Sequence, residues 1–390
     1  MSISIEKLEQ YIRVGLLILT GSLIFSLFVA QAVAILLIIL WLTKIGLSKK
    51  ANLKNNPFTF PFIAFVIARI ISVFLSEDLS QSLQTLNKEI FFYPLFFLVV
   101  DTFPIDDKRY VKWFFIVLSS AAIVTSIYGS SLVLFEISER AKSTTSGYYT
   151  LGTYLCVVAS FLLVIGIDKY FIPSKWIWAL SLIVILIGIL FTFNRIHWVI
   201  IGLIILIFGF LRERKIIFFI SLLTIITVIV VPMLRERLLE LLFFQSNLSD
   251  RDILWKGAGM INSKHPVSGF GPLTFREIFP LFENLTDKNV SSWHNDYLQV
   301  YMESGFIGLI TFLWLAISIF YVGIKLLFKK SLDKLNGNLT LAILLAMSAF
   351  YLTGTVGTFM FNPIMTLLFQ ILLAILAVIY RNNLTTIKLV

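Results

Sequence analysis

The sequence holds 390 residues, of which 58% are hydrophobic and 14% charged, with 37 phenylalanines and a mean hydropathy of +0.92. A soluble domain of that length cannot hide so much apolar surface, which excludes an ordinary water-soluble enzyme. The net charge of +10 would suggest nucleic acid as the partner of a soluble chain. In an apolar chain, basic residues are first topology signals, and no nucleic-acid partner is expected.

Charge-free runs between Val14 and Thr43, Trp176 and Phe193, Ile216 and Leu234, and Leu339 and Leu376 reach or exceed the roughly 18 to 20 residues that cross hydrocarbon. The alternating ten-residue strands of an outer-membrane barrel are missing. The chain therefore reads as an all-α, polytopic integral membrane protein embedded in a phospholipid bilayer. Charge clusters and turn residues divide it into about twelve transmembrane spans, near 11–28, 30–47, 57–75, 89–104, 112–135, 148–167, 175–193, 196–211, 215–233, 298–327, 339–357 and 362–380. The first run is too long for one span, about 45 Å at 1.5 Å per residue, and is read as two. Glu6, Lys7 and Glu9 precede it without a small-residue cleavage site, so no cleavable signal peptide is expected.

With the N-terminus inside, one set of loops collects 20 of the 32 Lys and Arg, whereas the other holds 11, seven of them in a single long loop from 234 to 297. Long loops translocate largely regardless of charge, so both termini are expected in the cytoplasm and the long loop outside. The domain plan is spans one to nine over 1–233, an outer loop over 234–297 and spans ten to twelve over 298–390. The loop mixes acids, bases, Gly, Pro and Trp and reads as structured. Ser249 and Asp252 have capping-box spacing, predicting a short helix from near Asp250 that ends before His265-Pro266. Turns follow at Gly269-Phe270-Gly271-Pro272, and a second helix should start after Ser292 and run into the tenth span. The single cysteine, Cys156, gives neither a disulfide framework nor a thiolate metal cluster within this chain.

Four residues attract chemical interest. Arg195 stands where one apolar run ends and the next begins. It is either a snorkelling cation marking a hairpin or a guanidinium facing a phosphate, whose oxygens suit its planar fork. Arg251 lies in the first turn of the loop helix, where the macrodipole is already positive. It either pairs with Asp250 or Asp252, or converges with free backbone N–H groups on one anion. His294, in Ser292-Trp293-His294-Asn295-Asp296-Tyr297, is a surface or structural histidine or a general base, since a neutral imidazole accepts a proton near physiological pH. Arg69, inside a span, is expected to pair with Glu77 or Asp78, with Glu303 as the alternative partner. His197 is read as interfacial packing beside Trp198, and His265 as a loop residue. No metal motif or phosphate loop is visible, so neither a metal nor a cofactor is expected.

The run Trp293-His294-Asn295-Asp296-Tyr297-Leu298-Gln299, followed by Glu303-Ser304-Gly305-Phe306-Ile307-Gly308-Leu309, resembles the signature of the O-antigen ligase and polymerase (Wzy-C) family. That signature is a His-Asn-x-Tyr-Leu-Gln box and then Glu-x-Gly-x-x-Gly-Leu opening a membrane helix. Asn194-Arg195 resembles the family's Ser-Arg turn, with Asn in place of Ser. Arg251 to Trp255, His265-Pro266 and Gly269-Phe270-Gly271 resemble its Arg-x-x-x-Trp, His-Pro-x-x-Gly-x-Gly stretch. The resemblance implies an inner-membrane glycosyltransferase working at the periplasmic face on a glycan carried by undecaprenyl pyrophosphate. A ligase passes that glycan to the lipid A core, and a polymerase to another repeat. By the same resemblance Arg195 and Arg251 hold the pyrophosphate in place of a metal, and His294 deprotonates the acceptor hydroxyl for inverting attack. Asn295, Tyr297, Glu303 and Arg69 would be supporting residues. The modest preference for ligase rests on the single large outer loop. A transporter of lipid-linked glycans is the alternative of another class, and only Arg69 favours it.

Overall fold

The computed structural model describes residues 4–215, 251–283, 285, 290 and 292–385, with isolated positions between 222 and 236. Among them every regular element is helical. The first charge-free run folds as two antiparallel helices, α1 (Ile5–Ser22) and α2 (Leu27–Ser48), because the Ser26 side chain accepts the Val29 N–H and starts a new helix. There follow α3 (Thr59–Phe74), α4 (Leu79–Lys88), α5 (Pro94–Thr102), α6 (Lys108–Leu134), α7 (Tyr148–Val164), α8 (Lys175–Phe191) and α9 (Arg195–Leu211). Beyond the residues left undescribed come α10 (Arg251–Ile261), α11 (Phe275–Ile278), α12 (Asp296–Leu327), α13 (Lys334–Thr353) and α14 (Pro363–Thr385).

By length and composition, α2, α6, α12, α13 and α14 can each cross a membrane, while α3, α7, α8 and α9 are apolar but shorter. Twelve continuous spans are therefore not found among the described residues. The span expected near 89–104 is broken: α4 stops at Lys88, a single 3-10 turn covers Ile90–Phe92, and Pro94 opens the nine-residue α5. Proline lacks the N–H that a continuous helix requires at that point. The span expected near 215–233, and Ser249 of the predicted capping box, fall almost wholly outside the described residues. Of the loop helix, Arg251–Ile261 is described, and its predicted start near Asp250 lies outside the described residues.

Two helices form the centre. Every residue of α7 from Thr150 to Val164 is buried, as is every residue of α14 from Ile364 to Ile379, the pattern of helices enclosed by other helices on all sides.

Side-chain ties sort the helix ends into two groups. At one end, Lys44 bonds both Glu9 and Asp101, Arg381 donates to the carbonyls of Asn52 and Val100, and Lys329 donates to that of Asn383. At the other, Thr144 donates to Phe25, Ser76 to Phe270, and Asn295 to Thr355. The loops grouped by their basic residues in the sequence thus meet at the first end, and the 251–296 segment stands at the second.

At that second end α12 is not continuous. Gly305 adopts φ 62 and ψ −162, a region open essentially to glycine alone. The break releases backbone groups that the preceding loop takes up. Phe270 N–H donates to the Met302 carbonyl at 2.8 Å and Gly271 N–H to Glu303 at 3.0 Å, while Phe306 N–H donates to Pro266 at 2.8 Å. Gly269, at φ +70, lies so close that a Cβ would stand 2.4 Å from the Glu303 carbonyl carbon. These contacts explain the glycine spacing seen in the sequence.

Beside this break lies Arg69, 1% exposed. Its Nη1 bonds Glu303 Oε2 at 2.8 Å and Ser304 Oγ at 3.1 Å, its Nη2 bonds Glu89 Oε2 at 2.9 Å, and its guanidinium covers the Phe361 ring. The expected pairing with Glu77 or Asp78 is corrected. Asp78 caps α4 through the Gln81 N–H, and Glu77 bonds His265 Nε2 at 2.7 Å. Local proximity in sequence lost to helix packing, because α12 lies against α3 and delivers Glu303 to Arg69.

A Gly305→Ala substitution would drive its Cβ to 2.2 Å from Val267 backbone atoms in a forbidden backbone region, at a cost of at least about 1–3 kcal/mol from strain alone. A clear fall in the thermal unfolding temperature of the detergent-purified protein is expected, and an unchanged melt would contradict the strained break.

Candidate functional site

The site is built from three turns. The first is 192–195. Thr192 caps the end of α8 by donating to Ile189, Phe193 turns back in the left-handed region at φ 48, and Asn194 leads into α9, so that Arg195 is its first residue. The second is the start of α10, where Arg251 is the first helical residue described. The third is 293–295. Trp293 is buried edge-on against Phe275 and Phe279, His294 turns at φ 48, and Asn295 caps α12 by accepting the Leu298 N–H at 3.0 Å. Two of the non-glycine residues with positive φ thus stand at Arg195's turn and at His294 itself. Such conformations persist only where the surroundings over-determine them.

Arg251 and Asn295 bond neighbouring carbonyls of one loop, which brings the second and third turns together, and Arg195 lies within electrostatic reach of Arg251. Arg251 feels the charge of Arg195, and His294 feels that of Arg251. The His294 imidazole is solvent-accessible, yet its pKa lies below the usual histidine value, chiefly because neighbouring protein displaces water and secondly because Arg251 repels a proton. Arg251 is itself pushed down from the ordinary arginine value by burial first, with Arg195 adding repulsion and Tyr149 and Tyr148 opposing it. It stays charged, as guanidinium groups do. Its Nη2 donates to the Val356 carbonyl at 2.8 Å, whereas its Nε is buried with no hydrogen-bond partner among the described residues.

The sequence reading missed one wall. Residues 354–362 join α13 to α14 and carry the Val356 carbonyl that holds Arg251, the Thr355 carbonyl that accepts Asn295 Nδ2 at 2.8 Å, and Asn362, which bonds Thr150 at 2.9 Å. Tyr149 lies against the same loop, its hydroxyl donating to the Thr353 carbonyl at 2.5 Å. A Cβ on Gly357 would stand 2.0 Å from the Tyr149 ring. Gly354 and Gly357 between two apolar runs mark a turn in the sequence, but nothing there says that the turn closes over Arg251.

Other predicted residues fall elsewhere. Asn295 serves as helix cap and loop tether. Tyr297 packs edge-on against Phe312 and donates to the Tyr351 carbonyl at 3.2 Å. Arg69 and Glu303 belong to the buried network described above. His197, expected at the interface beside Trp198, is fully buried between α7 and α9, its Nε2 3.1 Å from Thr153 Oγ1, because Gly152 leaves room for the ring.

The cluster combines two cations, one with an unused buried donor, and a ring that is neutral at physiological pH. That suits an anion with several oxygens beside a hydroxyl that must lose a proton. Replacing Arg251 by Gln removes the nearby positive charge, so the His294 pKa should rise toward about 6.5. A histidine NMR titration of the two forms reads this directly, and an equal or lower value in the variant would show that Arg251 does not act on the ring.

A family model described as O-antigen ligase (Wzy_C) matches residues 180–313. That stretch includes Arg195, Arg251, His294 and Glu303. No curated protein matches the chain.

Proposed function

We propose that this chain, which residues 180–313 assign to the O-antigen ligase and polymerase family, is an O-antigen ligase acting at the periplasmic face of the bacterial inner membrane. The family implies a glycosyltransferase-like enzyme of ligase or polymerase kind. In our reading the donor is a glycan on undecaprenyl pyrophosphate and the acceptor a hydroxyl of the lipid A core. The observation that supports it is that Arg251 and the turn of His294 are tied to neighbouring carbonyls of one loop, with Arg195 within electrostatic reach of Arg251.

His294 takes the proton of the acceptor hydroxyl as its oxygen attacks the anomeric carbon from the face opposite the diphosphate. The carbon–oxygen bond to the diphosphate breaks, and the anomeric configuration inverts. Negative charge grows on the departing diphosphate, and Arg195 and Arg251 stabilise it there more than in the ground state. The lowered pKa of His294 keeps it in the proton-accepting form at neutral pH. A cavity of about 440 Å³, apolar along Leu27, Phe92 and Leu367, opens beside Met360 and Phe361, at the far end of the loop that touches Arg251. It supports the reading by offering largely apolar walls reached along the same loop, with Gln31, Lys88 and Glu89 in its lining.

The transport alternative rested on Arg69. With two carboxylates, a serine and an aromatic ring around it, that residue is spent on packing α3, α4 and α12 together and no longer favours a charged path.

Purified protein given donor and lipid A core should transfer glycan and release undecaprenyl pyrophosphate. His294→Ala should lose about 10²–10⁴-fold in rate while remaining folded, and undiminished transfer would remove the proposed base. Arg195→Lys and Arg251→Lys should each lose on the order of 10²-fold despite keeping their charge, because one ammonium cannot reproduce the bidentate fork. Product that lengthens without any core acceptor would favour a polymerase.

The pH profile carries its own sign. Neutral His294 is the active form and its pKa is lowered, so the rate should hold as pH falls through about 6.5 and drop only below it. An acid limb above that value would mean that another group titrates.

A further inference from the structure

Asp296 is a fully buried carboxylate two residues from His294, and the proposed chemistry does not use it. Among the described residues no cation lies within ion-pair distance of it. Instead its Oδ2 accepts the Phe359 N–H at 2.9 Å and its Oδ1 the Met360 N–H at 3.4 Å, while its own N–H donates to the Gly354 carbonyl at 2.7 Å. Burying a carboxylate is costly unless its charge-assisted hydrogen bonds are well formed. A group held this way fixes whatever donates to it.

The loop so gripped is the one that receives Arg251. Val356, between Gly354 and Phe359, accepts the Arg251 Nη2, and Thr355 accepts Asn295. One face of the loop therefore carries the diphosphate-binding arginine of our reading, and the other is clamped to the residue that follows His294-Asn295. Tyr149 closes the remaining side against Gly357.

We infer that Asp296 is a positioning residue that locks the 354–360 loop to the head of α12, so that the arginine holding the donor diphosphate and the histidine accepting the proton form one rigid unit. This rests on the donor assignment made above. Geometry alone decides its worth, since a displacement of about 1 Å can cost 10²-fold in rate.

Asp296→Asn keeps the volume but sets an amide NH2 against one of the two backbone N–H groups, loosening the loop. Binding of undecaprenyl pyrophosphate to the full-length, detergent-purified chain, counted per folded molecule, should weaken about tenfold, the ratio that one lost hydrogen bond of this kind implies. The transfer rate at saturating donor should fall further, because His294 is displaced as well. A purely structural role would reduce the amount of folded protein and leave the dissociation constant of the folded fraction unchanged, which would overturn the inference. If the asparagine form does not fold, Gly357→Ala perturbs the same contact from the Tyr149 side and should weaken binding in the same direction. Unchanged binding there also overturns it. Should the parent chain itself fail to bind undecaprenyl pyrophosphate, the donor assignment falls, an outcome distinct from parent and variant binding equally well.

Discussion

A helix in hydrocarbon must satisfy its own backbone, because no water is at hand to do so. At Gly305 the protein departs from that rule and repairs the departure with a loop. The Met302 and Glu303 carbonyls, which an unbroken helix would bond internally, accept from Phe270 and Gly271, and the freed Phe306 N–H finds Pro266. The exchange fixes the 265–271 segment to a particular turn of α12. Through that segment it fixes α10, which packs by Leu254, Ala258 and Ile261 in the same small apolar cluster as Phe275, Phe279 and Trp293. Arg251 on α10 and His294 next to Trp293 inherit their positions from it.

The buried charges complete the repair. Glu89 stands where α4 gives way to the 3-10 turn, and Glu303 stands at the break in α12. Arg69 joins the two interruptions, so one guanidinium serves two weakened helices. Removing one member of such a group leaves an uncompensated buried charge, whereas the intact group roughly offsets its own desolvation. The network is an architectural cation, and its surroundings differ from those of Arg251. Two carboxylates face Arg69, while Arg251 meets a carbonyl, two tyrosines and the field of a second arginine, with one buried N–H left over among the described residues. The first environment is closed on itself. The second keeps a donor to spare.

What could be read from the sequence follows the range of the interactions. Hydropathy gave the membrane class, and chain length gave the first hairpin. Local rules gave the turn at Asn194-Arg195, because caps, turns and apolar runs are decided by neighbours in the chain. For Arg69 the default partners Glu77 and Asp78, eight and nine positions away, lost to the alternative, Glu303, 234 positions distant and delivered by helix packing. His197 was placed beside Trp198 on the same basis, although the space that receives its ring is made by Gly152 on another helix. The 354–362 wall was invisible for the same reason: a turn's residues declare a turn but not what it covers. The break near Glu89 was masked because apolar composition continues across it, and only Pro94 marked it.

The short helical piece between His294 and Gly305 unites these strands of argument. Asp296, Gln299 and Glu303 are spaced by three and then four residues, which lines them along one side of that piece, and all three are buried. Asp296 holds the 354–360 loop, Gln299 donates to Glu303 at 3.0 Å, and Glu303 holds Arg69. The piece thus carries a polar row toward the protein interior beside the buried apolar Val300 and Met302, and its polar anchors are directional hydrogen bonds. Hydrogen bonds to buried carboxylates tolerate little displacement. The result is a mount stiff enough to hold His294 in an unfavourable left-handed turn while leaving the residue exposed.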